Sequence, residues 1–171
     1  MLDTILQSLY FFLPAYVANM TPVFLKKVHF LAIPISEKRL GKNKTWRGVI
    51  GATLVGGIIF YLQKLLYLQG FTSIALIDYA DFSLALGFLL GAGAIVGDMI
   101  KSYYKRKAGI VPGKAWIPFD QLDFVIGALT LGFAIYVPPA SVMLTLMLLS
   151  PLLHIATNHL GYWLGIRNVK F

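Results

Sequence analysis

Three aspartates stand among basic residues in the second half of the chain, at positions where their carboxylates could act together. Asp120 and Asp123 are three residues apart and follow Pro118, a residue type well suited to begin a helix. If a helix begins there, both carboxylates project from its first turn on a common side. Helix capping is the alternative for Asp120 alone, because acidic side chains favour the positive end of the helix dipole.

The remaining aspartate of this group, Asp98, follows a glycine-rich apolar stretch. On a continuing helix Asp98, Ser102 and Lys105 recur at i, i+4 and i+7 and so share one face, with Arg106 beside them. An ionisable residue in such a stretch is costly to bury and is therefore a candidate for function. The alternative is a carboxylate that Lys101 or Lys105 neutralises in a packed interface.

Converging carboxylates suggest a metal site. Mg²⁺ prefers a few carboxylates together with waters and substrate phosphates. Three carboxylates that converge at one membrane face would therefore suit a hard cation such as Mg²⁺.

A separate polar element, residues 41–48, places three cations, an amide and a hydroxyl between two glycines. It is not a Walker loop, because the required glycine-lysine-serine pattern is absent. Opposite a metal-carboxylate cluster, the side chains of Asn43, Lys44 and Arg47 could hold a polyphosphate. The alternative is that these cations are solvated at a membrane interface.

The composition decides what kind of molecule must position these residues. The chain has 171 residues, of which 58% are hydrophobic and only 13% are charged, about half the usual charged share of a soluble domain. A soluble domain of this size cannot hide so much apolar surface, and intrinsic disorder has the opposite signature. The absence of cysteine excludes disulfides and thiolate chemistry. We predict an all-α, polytopic membrane protein with a single transmembrane domain over residues 1–171.

Five apolar stretches are long enough, or nearly so, to cross a bilayer core that needs roughly 20 helical residues. The third stretch carries four glycines, a composition that lets helices approach closely. The clean apolar part of the fourth stretch is short. The predicted spans are 4–25, 48–68, 82–100, 118–137 and 140–166.

The basic residues lie almost entirely on one side of this five-span layout. Of the 15 lysines and arginines, 14 fall in the loops 26–47 and 101–117 or in the C-terminal tail, where they include Arg167 and Lys170. The positive-inside rule then predicts an outside N-terminus and a cytoplasmic C-terminus. Topology and attraction to anionic lipid are a sufficient account of Lys26 and Lys27. Nucleic acid is a less favoured partner, because these cations flank hydrophobic spans.

The polar residues also occur in a recognisable order. It resembles the signature of the phosphatidate cytidylyltransferases, in which a serine precedes a Lys-Arg pair and an Asp-Arg-x-Asp element closes the motif. The chain differs by lacking a Lys-Asp pair, by Lys114 where His-Gly-Gly is usual, and by Gln121 in place of arginine. With residues 41–48, these differences resemble the archaeal branch, the CDP-archaeol synthases. The matching residues are Gly97-Asp98, Ser102, Lys105-Arg106, Pro112-Gly113 and Asp120-Gln121-Leu122-Asp123.

The resemblance implies a reaction and assigns roles by matching position. The family transfers a cytidylyl group from CTP to a lipid phosphate, here an isoprenoid diether of glycerol phosphate, and needs Mg²⁺. The implied metal-associated and catalytic acids are Asp98, Asp120 and Asp123. The implied nucleotide and phosphate contacts are Asn43, Lys44, Arg47, Ser102, Lys105 (also catalytic), Arg106 and Lys114.

Two other functional classes compete with this interpretation. A transporter or channel would explain the prolines and glycines of the spans and an intramembrane Asp98, but it predicts polar residues at mid-span, whereas here they collect at one face. A scaffold would leave three carboxylates without a role. In the last span His154, Asn158 and His159 could be catalytic, although hydrogen bonding to neighbouring helices is the commoner role. The sequence specifies no oligomeric state.

Overall fold

A computed structural model of the chain describes residues 2–111 and 114–165. Within these ranges the regular structure is helical, as predicted, and a short 3₁₀ turn, Leu25–Lys27, follows the second helix. Pro112-Gly113, the predicted end of the last span at position 166, Arg167 and Lys170 lie outside the described residues. The helices are α1 (Leu2–Phe11), α2 (Leu13–Phe24), α3 (Glu37–Leu40), α4 (Trp46–Leu68), α5 (Ala85–Lys107), α6 (Phe119–Gly132) and α7 (Ala140–Trp163).

Three of these helices, α4, α5 and α7, are long and apolar enough to cross a membrane. They overlap the predicted spans 48–68, 82–100 and 140–166. The helix α5 continues to Lys107, so the start of the predicted loop 101–117 is helical and carries Lys101 and Lys105 on α5. Half of the most apolar part of α5 is buried inside the protein, against 17% for α7, so α5 is central and α7 peripheral.

The predicted span 4–25 is a bent pair, with α1 and the segment Leu13–Lys27 meeting at 48°. The break has a local cause. Pro14 has no N–H to donate to the carbonyl four residues earlier, which belongs to Tyr10. The side chain of Gln63, on α4, donates to that carbonyl instead. Counted as one span, the bent pair brings the number of candidate spans to four.

Within the predicted span 118–137, the helix α6 covers only 14 residues. At 1.5 Å per residue such a helix is about 21 Å long, which is shorter than a hydrocarbon core of about 30 Å. The count of five spans therefore stays a prediction.

Glycines bring the central helices into backbone contact, as the third span predicted. A Cβ added to Gly56 of α4 would lie 2.6 Å from the carbonyl oxygen of Gly87 and 2.8 Å from the Cα of Gly91, both on α5. On the other side of α5, a Cβ added to Gly93 would lie 2.4 Å from the carbonyl oxygen of Gly127 on α6. Only glycine permits these separations, so α5 is held closely between α4 and α6.

A cluster of buried aromatic residues closes the end of the bundle at which α4 ends and α5 begins. Tyr79, in the loop between these helices, is fully buried and packs against Phe60 and Tyr10, with ring centroids 5.3 and 5.8 Å away. Tyr136, which follows α6, contacts Phe82 at 5.5 Å. The chain segments that precede α5 and follow α6 therefore meet at this end, away from the polar side chains described next.

Candidate active site

The polar residues gather at the opposite end of the bundle, where a loop, α5 and α6 meet. The loop between the 3₁₀ turn and α4 folds back on itself through backbone hydrogen bonds, including Ile35 N to Lys44 O at 2.8 Å and Trp46 N to Ile33 O at 3.1 Å. Thr45 caps α4, its hydroxyl accepting from the N–H of Gly48. These bonds hold Lys44 at the start of α4, pointing at α5.

One ammonium group joins all three aspartates. Lys101 Nζ lies 3.1 Å from Asp98 Oδ1, 2.9 Å from Asp120 Oδ1 and 3.0 Å from Asp123 Oδ2. An ammonium has three N–H donors, so these contacts use its full capacity. The carboxylates that the sequence predicts to converge are therefore brought together, and Lys101 lies between them.

Two further lysines complete the ion-pair network. Lys44 pairs with Asp98 across the interface between the loop and α5. Lys105 donates to both oxygens of Asp120, at 3.0 and 2.8 Å. Asp98 and Lys105 thus lie on one face of α5, as predicted, and Lys101 shares Asp120 with Lys105, whereas Ser102 is buried.

Backbone amides orient the two aspartates of α6. The helix begins at Phe119, immediately after Pro118, and carries Asp120 in its first turn. The N–H of Trp116 donates to Asp120, and the N–H of Phe124 donates to Asp123 Oδ1 at 2.6 Å. In the described part of the chain, Asp120 thus makes no capping hydrogen bond to α6, and its partners are two lysines and the Trp116 N–H.

Gly97 brings α6 close enough for its aspartates to reach α5. A Cβ at this position would lie 2.1 Å from the carbonyl oxygen of Asp123, a separation that no side chain can occupy. The glycine directly before Asp98 therefore sets the distance between the acids of the two helices.

These groups border a cavity of about 610 Å³. Its wall includes seven lysines and arginines and three aspartates, so the charge of the wall is +4. The cavity is thus a cationic chamber with an acidic cluster on one side. Its lining residues are Asn19, Pro22, Val23, Lys26, Ala32, Lys42, Asn43, Lys44, Thr45, Arg47, Asp98, Lys101, Lys105, Lys114, Ala115, Asp120, Asp123, His154 and Asn158.

Most of the residues predicted from the sequence line this cavity. Two of the predicted phosphate contacts, Ser102 and Arg106, are not among the lining residues, and Ser102 is buried in the helix packing. Direct phosphate contact by these two stays a prediction. The predicted residues that do line the cavity are Asn43, Lys44, Arg47, Asp98, Lys105, Lys114, Asp120 and Asp123.

The sequence does not indicate the full role of Lys101 or any role in the site for Lys26. The pairing of Lys101 with Asp98, one of the alternatives that the sequence leaves open, is present, but Lys101 also contacts Asp120 and Asp123. Lys26, for which topology alone is a sufficient account in the sequence, lines the cavity. His154 and Asn158, possible catalytic residues of the last span, line it from α7.

The donor set fits a hard divalent cation. Among residues 2–111 and 114–165, no three Asp, Glu or His side chains already stand at the spacing of a metal-ligand group. Instead the carboxylates of Asp98, Asp120 and Asp123 surround a monovalent cation, the Lys101 ammonium. Anionic oxygen donors are the ligands that Mg²⁺ prefers. The cluster therefore has the chemistry of a magnesium site and is neutralised by a side chain.

Comparison with known proteins gives matches along nearly the whole chain. The sequence model of a family described as CarS-like CDP-archaeol synthase matches residues 1–171. A CDP-archaeol synthase of Pyrococcus furiosus is 35% identical over 173 residues, covering 98% of each chain. A CDP-archaeol synthase of Methanocaldococcus jannaschii is 36% identical over 171 residues, covering 95% of this chain and 94% of the relative.

A solved structure shares the fold. It is described as an intramembrane enzyme for the biosynthesis of archaeal membrane lipids, and it matches with a TM-score of 0.71 and 29% identity. The match covers 90% of this chain and 94% of that one. The overall fold of the chain is therefore similar to that of an intramembrane enzyme.

Proposed function

The chain belongs to the CDP-archaeol synthase family, and from this membership we propose that it transfers a cytidylyl group from CTP to the phosphate of an isoprenoid glycerol diether. The products are a CDP-activated ether lipid and pyrophosphate. The family is one of cytidylyltransferases of archaeal lipid synthesis, so the chain is an enzyme of this class. The finer assignments below, to the lipid, the metal and individual residues, are part of the proposal.

The observation that carries the proposal is the charge of the cavity. A phosphate monoester has close to two negative charges near neutral pH, so CTP and a lipid phosphate together bring about six. One Mg²⁺ reduces that to about four. The cavity wall, with seven cations and three aspartates, has a net charge of +4 and so matches the reactants.

The proposed metal ligands are Asp98, Asp120 and Asp123, whose side chains converge from α5 and α6. When bound, Mg²⁺ would neutralise charge on the triphosphate and favour the departure of pyrophosphate. Each aspartate keeps a second hydrogen-bond donor that holds its orientation: Lys44 for Asp98, Lys105 for Asp120 and the Phe124 N–H for Asp123.

The chain's own part in the reaction is to bring two anions together in line. An oxygen of the lipid phosphate attacks the α-phosphorus of CTP, and the bond from that phosphorus to the bridging oxygen of the β-phosphate breaks. The lipid phosphate is already ionised near neutral pH, so a strong general base is unnecessary. In this proposal three cations that line the cavity, Lys44, Arg47 and Lys114, would offset the repulsion and hold the triphosphate.

Two substrates of different solubility must reach the same cavity. Its wall includes residues of α2 and of the peripheral helix α7, so one side of it borders the lipid phase. The loop that carries Asn43 and Lys44 forms the other side and is rich in exposed polar residues. This arrangement supports a site at the membrane boundary, reached by CTP from water and by the lipid from between helices.

The directions of the helices support the predicted topology. The ends of α2 and α5 and the starts of α4 and α6 all contribute to the cavity, as does the second half of α7. Successive segments therefore run alternately toward and away from it. We propose that the cavity faces the cytoplasm in the cell membrane, with the N-terminus outside, because the basic loops surround it.

The direct test is a turnover assay of the purified protein in detergent or bilayers. Labelled CTP, Mg²⁺ and an unsaturated isoprenoid glycerol diether phosphate are expected to give CDP-lipid and pyrophosphate in equal amounts. An acyl glycerol phosphate and other nucleoside triphosphates serve as comparison substrates. Folded protein that turns over no isoprenoid or acyl glycerol phosphate would contradict the proposal.

A further inference from the structure

Lys101 occupies the position that a bound cation would take. Its Nζ lies within 3.1 Å of an oxygen of each of Asp98, Asp120 and Asp123. Its side chain is 14% exposed, and that of Asp123 only 5%. A buried carboxylate needs a cation or several donors near it, so this ammonium is part of what holds the acidic cluster together.

We propose that Lys101 is an internal substitute for the metal. In the metal-free protein its ammonium holds the three aspartates together, and it leaves them when a divalent cation binds. This inference rests on the proposed function, since it concerns the metal of that same site. It adds a role for a residue that the CTP and lipid chemistry alone does not assign.

The charge balance explains why the two cations exchange. The three aspartates already pair with three lysines, Lys44, Lys101 and Lys105, so the cluster is neutral. A divalent ion added beside all three would leave two uncompensated positive charges in a largely buried site, which is unfavourable. Departure of Lys101 removes one of them and also frees one oxygen of Asp98 and one of Asp123, while Asp120 keeps Lys105 on both of its oxygens.

The partners left behind explain why Lys101 is the lysine that leaves. Without it, Asp98 still pairs with Lys44 and Asp120 still pairs with Lys105. Within the described ranges 2–111 and 114–165, Asp123 would keep only the N–H of its neighbour Phe124, so it is the carboxylate with most to gain from a metal. Lys101 itself lines the cavity and can turn toward phosphates there.

The test compares metal binding in variants that differ only in this side chain. Lys101→Met removes the charge and keeps the length, whereas Lys101→Arg keeps a cation. Lys107→Met is the matched control, because Lys107 lies on the same helix but is exposed and does not line the cavity. Binding of Mn²⁺ is measured by electron paramagnetic resonance and calorimetry on the full chain in detergent, without CTP. Thermal unfolding is followed with EDTA and with Mn²⁺.

If the metal replaces Lys101, the variants should differ in Mn²⁺ affinity and melting temperature in a specific way. Lys101→Met is expected to bind Mn²⁺ about tenfold more tightly than the wild type, or better, because close charges couple strongly. It should also melt at a lower temperature in EDTA and recover with Mn²⁺, while it turns over more slowly because the phosphates lose a cation. Lys101→Arg should bind Mn²⁺ no more tightly than the wild type, and Lys107→Met should match the wild type in binding and melting.

Three results would overturn the inference. The first is that Lys101→Met binds Mn²⁺ no more tightly than the wild type. The second is that Lys107→Met or Lys101→Arg gains as much Mn²⁺ affinity as Lys101→Met. The third is that no variant binds Mn²⁺. Turnover by the wild type separates the two proposals. If the wild type turns over CTP but Lys101→Met binds Mn²⁺ no more tightly, only the replacement of Lys101 by the metal is contradicted. If Lys101→Met binds Mn²⁺ more tightly but the wild type shows no turnover, only the proposed reaction is contradicted.

Discussion

At the scale of single residues, Asp123 is the acid that depends most on its surroundings. It is the least exposed of the three carboxylates, and its recorded partners are one lysine and one backbone amide. Asp123→Asn keeps the shape of the side chain but removes its charge. We expect a loss of turnover of about 10²-fold or more, of the size seen when a key electrostatic group is removed from other sites. The melting temperature should change little, because Lys101 keeps two other carboxylates. Near-normal turnover would contradict the metal assignment.

Two adjacent lysines provide a matched pair at the same scale. Lys26 lines the cavity and Lys27 does not, although both belong to the turn that ends α2. Lys26→Gln is expected to raise the KM for CTP severalfold, because one of the cations facing the triphosphate is lost. Lys27→Gln removes the same charge from the same turn and should leave KM unchanged. Equal effects on KM in the two variants would show that CTP binding depends only on the total charge at the cavity end of the bundle.

At the scale of the helices, close packing of α5 against α6 decides where the acids lie. Gly97→Ala would place a methyl group 2.1 Å from the carbonyl oxygen of Asp123, so α6 must shift. Overpacking of this kind costs about 1–3 kcal/mol. We expect a lower melting temperature and a larger loss of turnover than the loss of stability explains, because the carboxylates separate.

The control for that variant lies at the other end of the same helix pair. A Cβ at Gly132 would meet the end of the Leu90 side chain at 3.1 Å, and a flexible side chain can move aside. Gly132→Ala should therefore keep both turnover and melting temperature close to the wild type. If Gly97→Ala were equally harmless, the backbone contact would not be what positions Asp123.

At the scale of the whole molecule, the topology can be tested cleanly because the chain contains no cysteine. Single cysteines at Lys38 and Asp81, both exposed, report on the loops at opposite ends of the bundle. In right-side-out vesicles a membrane-impermeant maleimide should label Asp81→Cys and should reach Lys38→Cys only after the membrane is opened. The reverse pattern would contradict the proposed orientation.

A third single cysteine, at Val137 after α6, tests whether this short helix crosses the membrane. If Val137→Cys is labelled from outside, as Asp81→Cys is expected to be, the result supports five spans.

Much of this protein could be predicted without coordinates. High hydrophobicity with little charge, in continuous stretches of about 20 residues, predicts a helical membrane protein, because a helix satisfies its own backbone hydrogen bonds in lipid. The helices α4, α5 and α7 overlap predicted spans because apolar length is a local property. The sequence indicates Asp120 and Asp123 because a proline followed by two acids in one helical turn is also a local pattern. The order of polar residues identified the family, which the comparisons confirm.

The rest depended on contacts between residues far apart in the chain. The short α6 and the position of Lys44 beside Asp98 come from packing between helices and from loop hydrogen bonds. Lys26 could not be distinguished from Lys27 by sequence, since only the direction of a turn separates them. The placement of Lys101 among three carboxylates required the approach of two helices, which glycines allow but do not specify. Periodicity and composition thus determined which segments are helical and which residues are polar, whereas the tertiary structure decided which charges meet, because a charge pairs with whatever folding brings within a few ångströms.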